Sequence, residues 1–283
     1  MQKGQHPSNI FTLPPPGTRL KFRNQKNSLR CPVVVYADFE SVLKPRNQKH
    51  KQVQIFQEHE ACAVGWKVVC SPQVLQLHPG LAHSYQSIDG ADCVLQFLEK
   101  MFELEAQVVE IVRDDQPMQM DEEQRRLVEE TNFICHVCGK PCFTIDANGA
   151  QIMDRVFDHD HLTGQFRGVA HNRCNLALRK QYQLPVFFHN LKGYDGHFIA
   201  RAFNEPQFQT KKLTAIGQSM QKYMMLKAGD HLVFKDSLQF LSASLDSLAR
   251  NLKVDGIDRF GHLRSDFPGL SPEQLDLVST KGM

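Results

Sequence analysis

The chain lacks any apolar run approaching the length of a membrane span, and no secretory signal opens it. It also lacks a charge excess of either sign, with 33 Lys and Arg against 31 Asp and Glu and a net charge of +2. No overall basic field therefore points to a nucleic-acid partner, and the composition leads us to expect a soluble intracellular protein with no membrane contact. The 8 cysteines of this 283-residue, enzyme-sized chain lack the density of a secreted disulfide scaffold. Cys135-x-x-Cys138 points instead to a metal in a reducing compartment. Acidic residues are missing from residues 1–30, which carry Lys3, Arg19, Lys21, Arg23, Lys26 and Arg30 around Pro14-Pro15-Pro16. That stretch reads as a flexible basic arm, either touching DNA phosphates or simply solvated.

Residues 185–203, PVFFHNLKGYDGHFIARAF, organise what is present. Val186 to Phe188 read as a buried strand, and 190–195 as a turn in which Gly193 supplies an awkward backbone angle. From Asp195 the apolar positions Phe198, Ile199, Ala202 and Phe203 follow helical spacing, so Asp195 stands at a helix start. A carboxylate there is either an N-cap or a metal ligand. Upstream, residues 31–42 form a β-branched strand ending in Asp38-Phe39-Glu40. On a strand, residues two apart face the same side, so both acids point one way and Phe39 points into the core. Two adjacent acids repel each other unless divalent cations share them, and a pair of such cations is the usual device for phosphodiester cleavage. Two solvated acids at a strand end are the alternative.

Taken together, YADFE (36–40) and FHNLKGYDGHF (188–198) resemble the first and second exonuclease motifs of family B DNA polymerases. The second is closest to the protein-primed branch of viruses and of Maverick or Polinton transposons. The resemblance implies Mg²⁺ or Mn²⁺ at Asp38, Glu40 and Asp195. It places His189, Asn190 and Tyr194 near a single-stranded 3′ end. It further implies a terminal protein primer as partner, and a nuclear location if the element is eukaryotic.

Between these stretches, 61–69 and 74–83 read as strands and 90–112 as a helix with an apolar stripe from Val94 to Leu104. Three strands, a helix and the 186–188 strand begin a ribonuclease-H-like sheet. The helix should lead almost directly into that strand, yet residues 114–182 intervene. Residues 114–130 are acidic and polar, a surface helix suited to a domain junction. Beyond them Cys135-x-x-Cys138 has zinc-knuckle spacing, best completed by His171-x-x-Cys174, with His136 and Cys142 as competing ligands. Two buried thiols are the plain alternative. Between the half-sites stand Asp158, His159, Asp160 and His161. A neutral imidazole can deprotonate water near pH 7 while a carboxylate holds a cation. Asn175, opening an expected helix at 176–182, can reach back to the same cation.

Residues 158–179, DHDHLTGQFRGVAHNRCNLALR, resemble the HNH-type recombination endonuclease VII family of phages, in which zinc staples a ββα hairpin. That resemblance covers about 133–182. It implies Zn²⁺ at Cys135, Cys138, His171 and Cys174, and Mg²⁺ at Asp158 and Asn175. His159 would be the general base and His161 a helper on the phosphate or leaving-group side. Arg167, Arg173 and Arg179 would meet DNA phosphates, with ordinary surface charge as the alternative.

Downstream, 221–226 and 231–234 read as a hairpin closed by Ala228-Gly229-Asp230. Asp236-Ser237-Leu238 resembles the segment that follows the second motif in the protein-primed polymerases, where it helps hold the single strand. Ser237 then joins the DNA-binding set, although turn capping by Asp236 and Ser237 and a core stripe of Leu245, Leu248 and Leu252 account equally well for these residues. The third exonuclease motif, Tyr-x-x-x-Asp, is missing in its place. Its spacing occurs only at Tyr85 and Asp89, upstream of the second motif, and no polymerase palm motif is present.

The expected architecture is therefore α/β: a ribonuclease-H-like 3′-5′ exonuclease fold interrupted by a zinc-stapled ββα-metal insertion. Its parts are an arm (1–30), a first exonuclease part (31–113), the junction and insertion (114–182) and a second part (183–283). The expected function is that of an N-terminal polymerase fragment, a nuclease on single-stranded, branched or duplex DNA without polymerase activity. The alternatives are a stand-alone nicking enzyme of the endonuclease VII type and a non-catalytic zinc DNA-binding module.

Overall fold

A computed structural model describes residues 14–18, 24–50, 53–81, 84–129, 133–178, 182–219 and 222–278. Lys26 and Arg30 of the arm fall within them; Lys3, Arg19, Lys21, Arg23 and Arg179 lie outside the described residues.

The β-branched run after Cys31 extends into a long strand, β1 (Val33–His50), which pairs antiparallel with β2 (Val53–Cys70). Over its described part, 74–81, the expected strand at 74–83 is not one, and 82–83 lie outside the described residues. Ser71 accepts a hydrogen bond from the Val74 amide at 3.3 Å and Pro72 follows, so the chain forms a short helix, α1 (Pro72–Leu77). Ser-Pro is a helix start here, because the hydroxyl caps a free amide and proline has no amide to leave unpaired. The third strand, β3 (Gln86–Asp89), follows and pairs with β2. Then α2 (Cys93–Arg113) lays Phe97, Leu98, Met101, Leu104 and Val108 into the core at helical spacing.

Among the described residues the acidic stretch is helical over α3 (Glu122–Leu127), where Asp121 and Gln124 form a reciprocal capping box. A small unit follows: β4 (Phe143–Ile145) pairs with β5 (Gln151–Met153), β6 (Val156–His159) with β7 (Phe166–Ala170), and α4 (Asn172–Leu178) closes it. Its own small core holds Phe133, Cys135, Cys142, Val169 and Ala170. The helix starts earlier than expected, so Asn175 lies inside α4 rather than opening a helix.

The chain then returns to the sheet as β8 (Leu184–Phe188), followed by α5 (Asp195–Ala202), β9 (Leu213–Ser219), β10 (Lys222–Ala228) and β11 (Leu232–Asp236). Short helices α6 (Leu245–Val254), α7 (Gly261–Asp266) and α8 (Pro272–Val278) complete the described chain. Leu245 and Leu252 of α6 are exposed, so the expected core stripe there does not form.

One seven-stranded mixed sheet results, in the order β3-β2-β1-β8-β11-β10-β9. Strand β8 runs parallel to both neighbours, β1 and β11, and the strands outside them are antiparallel. Val35 faces Val186, and Asp236 faces Phe188. The pairing of β1 with β8 stops at Tyr36 and Phe187, so Asp38 farther along β1, His189 just past β8 and Asp236 at the end of β11 stand at one end of the parallel pairing. The carboxyl edge of parallel strands is where α/β sheets bind ligands. Below it Phe39 stacks on Phe188 with ring centroids 5.3 Å apart and meets Phe97 edge-on at 5.4 Å. That aromatic packing fixes β1 so that the residues flanking Phe39 face outward.

Candidate functional site

Chemistry-bearing side chains gather at three places. At the sheet edge, Phe39 is buried while Asp38 and Glu40 are exposed on the opposite face. Across the strands, Asp38 is in register with Gly65 and Ser87, and Glu40 with Ala63 and Asp89. The small residues of β2 leave a trough of about 550 Å³, lined by Asp38, Glu40, Tyr85, Asp89, His189 and Ser237. A Cβ at Gly65 would lie 1.9 Å from the Tyr85 hydroxyl, so only glycine admits that phenol. The Tyr85 and Asp89 pair, out of order along the chain, thus reaches the same trough as Asp38 and Glu40.

Asp195 opens α5 and is only 2 % exposed, and its Oδ1 has no hydrogen-bond partner. Burial pushes its pKa up from 3.8 to about 7, helped by the charge of Asp38 and against the pull of its own amide and that of Phe39. Among the described residues, Asp38, Glu40 and Asp195 do not close into a set with donor atoms within 4.8 Å of one another. An unpartnered buried carboxylate oxygen that feels the charge of Asp38 nevertheless suits a divalent cation, which would supply the missing partner.

The turn before Asp195 is held by Asp236, whose carboxylate accepts from the amides of Asn190 at 3.0 Å, Lys192 at 3.1 Å and Leu238 at 3.0 Å. Asn190, not Gly193, takes the left-handed backbone, with φ of 75°. Gly193 serves differently, since a Cβ there would stand 2.7 Å from Asn190 Oδ1. His189 is clamped, with Nδ1 3.0 Å from Ser237 Oγ and Nε2 2.9 Å from the Ala243 carbonyl. The Ser237 hydroxyl donates to the Phe188 carbonyl. The Tyr194 hydroxyl turns toward Ser41 and lies 2.9 Å from His59 Nδ1.

In the small unit, Cys135, Cys138, His171 and Cys174 bring their donor atoms within 4.8 Å of one another. Burial alone would raise the Cys135 thiol, but the amides of Cys138, His171 and Val137 outweigh it and hold the pKa at about 6. Cys174 is pushed up to about 12 by burial and by the sulfurs of Cys138 and Cys135. Thiols that cannot all ionise together are the donor set that a dication resolves, because the ion offsets their mutual repulsion. His171 Nε2 lies 2.9 Å from the Pro141 carbonyl and donates to it, leaving Nδ1 to face the sulfurs of Cys138 at 3.5 Å and Cys174 at 3.7 Å. That is the outer hydrogen bond a metal-binding histidine needs. The two competitors stand apart. His136 meets Asp158, and Cys142 is a buried thiol raised to about 11, first by burial and then by Cys135.

Asp158 is 1 % exposed, and its carboxylate is taken by Arg167 Nη2 at 2.8 Å, Arg167 Nε at 3.1 Å and His136 Nε2 at 3.0 Å. Arg167 therefore holds a carboxylate, and of the two described arginines of the expected phosphate-binding set Arg173 is the exposed one. His159 and His161 stand with ring centroids 4.6 Å apart and share Asp115, whose Oδ1 lies 2.7 Å from His161 Nδ1 and 3.8 Å from His159 Nε2. Asp115 belongs to the acidic junction and carries no motif spacing, so only the chain's return past the β6–β7 loop reveals it. Asp115, His161, Arg167 and Asn175 line one cleft of about 860 Å³ together with Arg30 and Tyr182.

Two comparisons by family fit this geometry. Residues 112–194 match the model of recombination endonuclease VII, and residues 176–263 match that of DNA polymerase type B, organellar and viral. The first match spans the thiol–imidazole set and the histidine pair; the second begins after β1 and spans β8, Asp195 and Asp236. No curated protein and no solved structure matches the chain. The chain is thus similar, in two overlapping stretches, to a recombination endonuclease family and to a DNA polymerase family.

Proposed function

We propose that this chain is a metal-dependent DNA nuclease with two sites: an HNH-type endonuclease unit, carried as an insertion in the exonuclease region of a protein-primed family B polymerase. One observation carries the endonuclease half. A hairpin and helix gathered around Cys135, Cys138, His171 and Cys174 carry His159 4.6 Å, ring to ring, from His161, which lines a cleft large enough for a phosphodiester backbone. In this reading zinc is structural. His159 takes the proton from the attacking water, and His161 assists on the leaving-group side. Asp158 and Asn175 are the residues to hold Mg²⁺ or Mn²⁺, which supplies charge stabilisation at the phosphate. Arg167 aims the Asp158 carboxylate, and Arg173 and Arg179 are the residues expected to meet DNA phosphates. The expected result is nicking of circular duplex DNA with Mg²⁺, lowered at least about a hundredfold by His159→Ala, the scale of a lost general base. Nicking at the parent rate by that variant would remove the role.

The sheet half is supported by the unpartnered Oδ1 of Asp195 beside the charge of Asp38. With strands ordered 3-2-1 before the crossover and β8 and β11 added parallel, the sheet supports a ribonuclease-H-like reading. Asp38, Glu40 and Asp195 hold the catalytic cations here. His189, Asn190, Tyr194 and Ser237 stand as the 3′-end set, and a terminal protein primer is the partner of the full polymerase. Trimming of 3′-recessed DNA left unchanged by replacing Asp38 and Asp195 together with Ala would end this half of the reading.

A further inference from the structure

Asp115, one residue past the C-cap of α2, plays no part in the function above, yet its position is built. The Asp114 amide donates to the Glu110 carbonyl at 3.1 Å, which ties off the helix end. Beyond it the chain is zipped to the β6–β7 loop: Gln116 N donates to the His161 carbonyl at 2.8 Å and Gln119 N to the Gly164 carbonyl at 2.7 Å. Gly164 is required there twice over, by its φ of 73° and by the Pro117 carbonyl oxygen, which would stand 2.4 Å from any Cβ. Asp115 is therefore held from both sides, with one carboxylate oxygen facing a nitrogen of each histidine, the three donor atoms lying within 4.8 Å.

Two imidazoles and one carboxylate converging on a point are the donor set of a borderline divalent transition ion, not of Mg²⁺, which takes oxygen ligands. We propose that Asp115, His159 and His161 form a second zinc-type site in which the ion occupies the nitrogen that His159 needs as a base, so that zinc switches the endonuclease off. This rests on the base role of His159 given above. The ion competes for a lone pair, and no bond of the substrate is involved. The site is separate from the thiolate set, because it shares no residue with it and faces the cleft.

The test uses the full chain loaded with one equivalent of zinc, dialysed against graded free Zn²⁺ and assayed by metal analysis and by nicking in excess Mg²⁺. The expected result is a second equivalent bound in the micromolar range, with nicking lost over the same range. Asp115→Asn should weaken that second equivalent at least about tenfold, as loss of a metal-site partner does, keep the first, and keep nicking at zinc levels that silence the parent. His161→Ala, read by metal analysis alone, should lose the second equivalent too. A second equivalent bound equally by both variants, none bound by the parent, or binding without inhibition would overturn the proposal. A chain that binds the second zinc as described but nicks nothing under any metal would instead overturn the endonuclease reading, so the two failures are distinguishable.

Discussion

Asp195 illustrates how one residue stores a functional cost. Its carboxylate is buried with one oxygen unpartnered, and its pKa stands near 7 instead of 3.8. An acid with a raised folded pKa keeps its proton in the native state at pH values where the unfolded chain has already released it. Native stability is therefore greatest at and below the ordinary carboxylate range, declines between about pH 4 and 7, and is lowest above that, by up to about 1.4 kcal/mol per pH unit. In zinc-loaded protein without other divalent ions, Asp195→Asn should flatten this decline and melt above the parent at pH 8, while matching it near pH 4. Thermal melts at the two pH values check this; a variant less stable than the parent at pH 8 would mean that the carboxylate has a partner. Asp158 shows the opposite arrangement. It is equally buried but satisfied by Arg167 and His136, so Arg167→Ala should destabilise the small unit by the 3–5 kcal/mol typical of an orphaned buried charge. Denaturant unfolding followed by a probe placed in that unit would measure it.

At the scale of elements, the small unit buries a core of five among the described residues, too little to hold two hairpins and a helix unaided. If the proposed zinc sits at the thiol–imidazole set, Cys138→Ala or chelation should unfold residues 133–178 and abolish nicking while leaving the sheet intact, because structural zinc contributes about 10–16 kcal/mol in such units. Hydrogen exchange should lose protection in β6, β7 and α4 and keep it in β1, β8 and β11. The junction has its own weak point. Gly164→Ala forces a left-handed residue against the Pro117 carbonyl, and the cost should be about 1–3 kcal/mol, read in the melt of the small unit. Elements also show where sequence patterns were ambiguous. The 74–83 stretch has apolar residues that fit a strand, and Ser71-Pro72 decided for a helix by capping. The early start of α4 at Asn172 follows from His171, whose carbonyl accepts from both the Cys174 and Asn175 amides at 3.0 Å.

For the whole molecule, the chain leaves the sheet domain after α2 and re-enters at β8, and Val112, Arg113, Leu178 and Tyr182, from both sides of that excursion, line one cleft. Exit and re-entry thus open on the same cleft, and replacing 115–181 by a flexible linker should leave the seven-stranded sheet folded. Such a variant should keep any 3′-end trimming and lose nicking. Loss of the cooperative melt of the sheet would show instead that the small unit is needed to fold it.

Much of this was readable in the chain itself, because spacing and pattern are local properties. Alternation around Phe39 already sets Asp38 and Glu40 on one face, and the spacing of Cys135, Cys138, His171 and Cys174 already selects the four donors that converge. What lay beyond the sequence depends on which distant segments become neighbours. Only the tertiary structure brings Tyr85 and Asp89 to the trough, through the small residues Gly65 and Ala63 of the intervening strand. It alone gives Asp158 to Arg167 and His136. It alone delivers Asp115 to the histidine pair, since backbone hydrogen bonds between two segments far apart in sequence leave no periodic trace in either one.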